Sequence, residues 1–102
     1  MKLITAEIEK KIPALYATDG QKEKDVAVKF FSPWAGWAWY AVEGQKLENG
    51  DWEFFGLVDG NGKEFGYFLL SQLEAIAGPA GLRIERDRHF NGKIIDGEVV
   101  GH

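Results

Sequence analysis

The apolar positions change period along this chain, and the changes mark out its elements. Leu3, Ile4, Ile8, Ile12 and Leu15 recur near helical spacing, which predicts an amphipathic helix at the start. Thr5 is placed to cap it. Glu7 and Glu9 fall in its first turn, where carboxylates oppose the positive end of the helix dipole. Pro13 has no amide hydrogen, so the helix is predicted to end or kink before it, with Ala14 to Ala17 as a short turn. Thr18 to Asp25 reads as a polar loop.

From Val26 onward the pattern predicts four strands. The first, Val26 to Phe31, is closed by Pro33, and Ser32 to Gly36 connects it to the second, Trp37 to Val42. Glu43 to Asp51 reads as a turn region, with Asn49-Gly50 as its turn signal, before the third strand, Trp52 to Val58. Asp59-Gly60-Asn61-Gly62 leads into the fourth, Glu64 to Leu69. It is expected to be the tightest hairpin, since these residues tolerate positive φ. Short connections favour antiparallel neighbours, hence a meander. Ser71-Gln72-Leu73-Glu74 has the form of a capping box and predicts a second helix, stopped by Gly78-Pro79-Ala80-Gly81. Leu82-Arg83-Ile84 is expected as a short edge strand, and Arg86 to Phe90 as a turn or short helix. The tail, 91–102, shows no clear period and is expected to be frayed, or paired as an edge from Gly97 to His102.

These elements define an α+β fold: a four-stranded antiparallel meander with an N-terminal helix and a second short helix packed on one face. Alternation along the strands puts Trp52, Phe54 and Val58 on one side, and Phe55 and Leu57 on the other with Glu53 and Asp59. Phe65, Tyr67 and Leu69 likewise oppose Phe68 and Leu70. Both faces are substantially apolar, and two helices cover one. The other is left for the loops and tail, for a partner chain, or as an open aromatic surface.

A chain of 102 residues is expected to form one domain over its whole length, 1–102. Its apolar share of 45% is enough for a core without staples. It has no cysteine, which removes disulfides and thiolate metal sites and fits a reducing compartment. No apolar run approaches the roughly 20 residues of a membrane helix. The start, Met1 to Glu7, turns charged too soon for a signal peptide. A cytoplasmic protein with no membrane partner is expected. The net charge of −4 argues against nonspecific duplex binding.

Several blocks then occur together and in order: Met1-Lys2-Leu3-Ile4-Thr5, Ile12-Pro13-Ala14-Leu15-Tyr16, Val28-Lys29-Phe30-Phe31-Ser32-Pro33, Trp37-Ala38-Trp39-Tyr40, Phe54-Phe55-Gly56-Leu57-Val58-Asp59-Gly60, Phe65-Gly66-Tyr67-Phe68, Ser71-Gln72-Leu73-Glu74 and Gly81 to Phe90. In these the chain resembles domain-of-unknown-function family twenty-nine fifty-eight, over about residues 1 to 90. The resemblance implies a bacterial mobile-element setting, on plasmids, phages and integrative elements near anti-restriction genes. It implies no activity, so it assigns no catalytic residue.

Candidate chemistry is sparse. His89 lies beside Asp87 in Glu85-Arg86-Asp87-Arg88-His89, and a histidine near a carboxylate can serve as acid or base. Arg86 and Arg88 suit bidentate recognition of phosphate or carboxylate. The plainer reading of this segment is a turn fixed by Arg–Asp pairing. His102 is terminal and is expected to carry nothing. His89 is the sole internal nitrogen ligand of the expected kind, and Asp51, Glu53 and Asp59 lack calcium-loop spacing, so no metal site is expected. Neither Ser32 nor Ser71 sits in a nucleophile elbow, and Gly60 to Gly66 precedes no helix that would make a phosphate loop. No cofactor is expected.

The aromatic cluster Trp34, Trp37, Trp39, Tyr40, Trp52, Phe54 and Phe55 reads first as core. Trp34 and Trp37, in a loop around Ala35-Gly36, are expected to be its exposed members. The candidate binding residues are therefore Trp34, Trp37, Arg86, Arg88 and His89. The leading expectation is a non-catalytic module that binds a host protein, as a monomer or weak homodimer. The alternative is an accessory nucleic-acid binder favouring single strands, through the aromatic face with Lys29, Arg83, Arg86 and Arg88. A third reading is a small enzyme centred on His89.

Overall fold

Helix α1 (Ala6–Lys11) starts where the sequence places it. The Ile8 N–H donates to the Thr5 hydroxyl at 3.3 Å, satisfying one of the donors a helix start leaves open. Ile12 already has extended backbone, as a residue before proline prefers. The computed structural model describes residues 2–101; Met1 and His102 lie outside the described residues, so the expectation for His102 does too.

The remaining elements are strands β1 (Glu23–Asp25), β2 (Val28–Phe31), β3 (Ala38–Lys46), β4 (Trp52–Asp59) and β5 (Lys63–Leu69), helix α2 (Leu70–Ala75), a 3₁₀ turn at Pro79–Gly81, and strands β6 (Glu85–Arg86), β7 (Gly92–Ile95) and β8 (Glu98–Gly101). The fold is α+β, but its strands form two antiparallel sheets rather than one four-stranded meander. One has five strands in the order β5-β4-β3-β2-β6, and the other has three in the order β1-β7-β8. β2 to β5 do run as sequential antiparallel neighbours, and β6 extends the sheet by pairing Phe30 with Arg86 and Phe31 with Glu85.

The larger sheet carries a buried cluster on each face. On the first, Val28, Phe30, Trp39, Ala41, Trp52, Phe54 and Phe68 meet Leu3 and Ile4 from the N-terminal segment, Leu73 of α2 and Ile84. On the second, Ala38, Tyr40, Val42 and Leu57 meet Ile94 of β7, with Val99 of β8 and Phe90 beside it. The side-chain alternation expected for β4 and β5 holds. The cover of the second face is the small sheet, which is built from a segment expected to be loop and from the tail. Its two-residue Asp96-Gly97 turn has φ of 51° and 81°, the left-handed pair that a type I′ hairpin requires.

That turn is tighter than the three-residue loop between the Asp59 and Lys63 partners. Neither Gly60 nor Gly62 has positive φ. Gly60 is required by packing instead, since a Cβ there would sit 2.4 Å from the Trp37 ring.

Three further boundaries differ. β3 runs on through Glu43 to Lys46, into the expected turn region, because a bulge between Ala41 and Glu43 keeps the ladder with β4. α2 begins at Leu70 rather than after a Ser71 cap. The Leu69 N–H donates to Gln72 Oε1 at 2.9 Å, while the Ser71 hydroxyl donates to Asp51 Oδ2 at 2.5 Å. The expected edge strand at Leu82 to Ile84 is a single bridge, Ala77 with Arg83, and the true strand follows at Glu85–Arg86.

Candidate functional site

The loop between β2 and β3 folds back on itself. The Ser32 N–H donates to the Trp37 carbonyl at 2.9 Å, and the Trp37 N–H donates to the Ser32 hydroxyl at 3.1 Å. This closure turns both loop tryptophans inward, against the expectation that they are exposed. Trp34 lies over Gly78, where a Cβ would come within 2.6 Å of its ring. Trp37 lies over Gly60 and stands 5.9 Å from the Trp39 ring. Both are half-buried and pack on the first-face core. With Trp39, Ile76, Ile84, Ser32 and Ala35 they line an open cleft of about 280 Å³. Its walls are almost wholly apolar, with Ser32 as the polar member.

The charged candidates gather elsewhere. Arg86 Nη1 donates to the carbonyls of Lys2 and Leu3 at 2.6 and 3.0 Å, so this side chain ties the N-terminal segment to β6. Asp87 serves Lys29: its N–H donates to the Lys29 carbonyl at 2.9 Å, and its carboxylate lies 3.7 Å from the Lys29 ammonium. That ammonium also sits 5.3 Å from the Phe90 ring centre and 5.4 Å from that of Tyr40, a cation–π arrangement. The other Asp87 oxygen accepts from the His89 N–H at 3.0 Å. The expected Arg–Asp pairing of the turn is thus a Lys29–Asp87 pairing.

Arg88 and His89 are exposed, and their side chains have no hydrogen bond or ion pair among the described residues. Arg86 and Arg88 line a second, mixed cleft with α1, and it shares no residue with the tryptophan cleft. The five candidates therefore divide between two places on the molecule. Among the described residues no three histidine or carboxylate side chains gather as metal ligands, and no helix is long and apolar enough to cross a membrane.

One organising residue falls in the segment expected as a turn. Glu43 is 3% exposed, and its carboxylate accepts from the Tyr16 N–H at 2.7 Å, the Thr18 N–H at 2.8 Å and the Thr18 hydroxyl. Burial pushes its pKa up, but the Thr18 and Tyr16 hydrogen bonds and the nearby Lys24 charge outweigh this and hold it below the ordinary value. Lys24 in turn donates to the Thr18 hydroxyl at 3.0 Å. Nothing local marks Glu43, because its partners lie on a loop far back in the chain.

This is a small two-sheet α+β protein with an indole-lined surface cleft. Its residues 3–95 match the model of a family described as "Protein of unknown function (DUF2958)", and the chain belongs to that family. No curated protein and no solved structure matches it.

Proposed function

We propose that this protein is a non-catalytic binding module whose tryptophan cleft receives an apolar side chain of a partner protein. The observation that supports the reading is the cleft itself. Trp34, Trp37 and Trp39 offer large, rigid apolar area at little rotamer cost, and Ile76 and Ile84 close the floor. An apolar anchor entering such a pocket leaves few polar groups unpaired. The mobile-element setting that the family resemblance implies favours a bacterial host protein in the cytoplasm, such as a component of host defence. Nucleic acid has less support: of the four cations considered for it, Lys29, Arg83 and Arg86 are engaged on Asp87, Ile76 and the N-terminal carbonyls.

The test is a plug. Ala35 is exposed and lines the cleft, so Ala35→Arg fills the mouth without disturbing the core. Pull-down from host lysate followed by mass spectrometry should recover a partner with the natural protein and lose it with Ala35→Arg, at unchanged melting temperature. Equal recovery by both proteins would defeat the reading.

A further inference from the structure

We propose that the outer edge of β5, with the rings of Tyr16, Phe55, Phe65 and Tyr67 beside it, is a docking strip for an extended basic segment of a partner protein, which joins the sheet as a further strand. The surface is separate from the tryptophan cleft and does not depend on that reading.

β5 is the terminal strand of the larger sheet, seven residues long, and its outer side has no neighbouring strand among the described residues. Natural edges of this length are commonly blunted by proline, a bulge or central charges. β5 has no proline and pairs with β4 without a register shift. Its charges, Lys63 and Glu64, stand at one end, leaving Phe65-Gly66-Tyr67-Phe68-Leu69 uncharged. A strand with unpaired backbone groups and an apolar stretch offers main-chain hydrogen bonds to an incoming segment, with side-chain contacts to select it.

The aromatic rings lie next to that edge and are largely uncovered. Phe65 is 39% exposed, Tyr67 51% and Tyr16 65%. Phe55 stacks on Phe65 at 5.6 Å with the planes 11° apart and lies 5.1 Å from Tyr67, whose phenol pKa is raised by the neighbouring Tyr16 hydroxyl. The small sheet covers the middle of this face, and of the four rings Phe55 packs against that cluster while Phe65, Tyr67 and Tyr16 stay exposed. Tyr16 is held there under strain: its φ is 71°, unfavourable for a bulky side chain, and the buried Glu43 carboxylate grips its N–H.

Charge selects the occupant. Glu53 and Asp59 share the face of Phe55 on β4, and Lys63, across from Asp59, is already bonded to Glu98 at 3.1 Å. Aromatic faces with surplus carboxylates attract arginine and lysine side chains, and the chain as a whole carries −4.

The experiment uses the full-length protein labelled with ¹⁵N and a capped hexapeptide alternating arginine and valine, with a glutamate–valine hexapeptide as control. The arginine peptide should shift the Phe65 to Phe68 amides saturably and slow hydrogen exchange at those of them that face outward, and the glutamate peptide should do neither. Tyr67→Ala, at an exposed position, should weaken the binding by about fivefold, whereas Ala35→Arg should leave it unchanged. The proposal is overturned by shifts confined to other residues, by equal effects of the two peptides, or by sedimentation showing that a second copy of the chain occupies the strip.

Discussion

Thr18 and Glu43 stand 25 residues apart in the chain and are joined twice, through the Thr18 N–H and through its hydroxyl, both donating to one oxygen of a carboxylate that is almost fully buried. The other oxygen takes the Tyr16 N–H. A single side chain on β3 thereby sets the path of the loop that leads into β1. Glu43→Gln keeps the shape but loses the charge and turns an amide N–H₂ toward donors. The expected cost is about 2 kcal/mol, seen as a lower denaturant midpoint together with faster hydrogen exchange at the Tyr16 and Thr18 amides. Unchanged exchange at both would show that the loop is held by other means.

The same contact carries a pH dependence. The folded pKa of Glu43 lies below its ordinary value of 4.5, so the folded state binds this proton less readily than the unfolded chain. Its stabilisation is complete above that value and is lost as pH falls below it through the folded pKa. The stability gap between the natural protein and Glu43→Gln should therefore be widest near neutrality and narrow at about pH 3. Thermal unfolding of both proteins at the two pH values checks this, and a gap independent of pH would contradict it.

Trp34 and Arg88, both first expected at the surface, should behave differently. Trp34 covers Gly78 and walls the cleft, so Trp34→Ala should cost about 2 kcal/mol, or roughly 8 °C or more in melting temperature. Arg88→Ala removes a side chain with no bonded partner among the described residues and should stay within about 0.5 kcal/mol. Paired thermal melts decide the matter, and a silent Trp34→Ala would mean that the loop packs loosely.

Removing the tail should be severe. Truncation after Asn91 deletes Ile94, which is 1% exposed, and Val99, and it uncovers Tyr40, Val42 and Leu57. Ile94 alone accounts for about 2 kcal/mol of burial. The shortened protein should lose its cooperative melt and bind a hydrophobic dye, whereas a merely frayed tail would leave the melt intact.

Much of the first-face architecture was legible residue by residue. The Thr5 cap, the stop before Pro13 and the opposed faces of Trp52-Phe54 and Phe55-Leu57 all follow from interactions within a few positions of chain. Asp96-Gly97 between Ile94-Ile95 and Val99-Val100 was equally legible as a hairpin, yet the absence of a long period in the tail obscured it. Ser71 misled for a specific reason: Asp51, distant in sequence and adjacent in space, takes its hydroxyl. Of the candidate site, the residue types Trp34 and Trp37 were visible, but their inward turn depends on Gly60 and Gly78 lying beneath them.

By itself, then, the sequence determined what local physics decides: where helices can start and stop, where side chains alternate, and that two apolar faces need cover. Tertiary structure alone decided what covers them and what each charge does. Ile94 reaches the second face from the far end of the chain, and Arg86 finds its acceptors 83 and 84 residues away at Leu3 and Lys2. Glu43 is a solvated turn residue by composition and a buried anchor by position. The reason is common to all three. A local pattern states that a group must be buried or bonded, but its partner is chosen only when distant segments close against the sheet, where desolvation leaves the group one geometry that satisfies it.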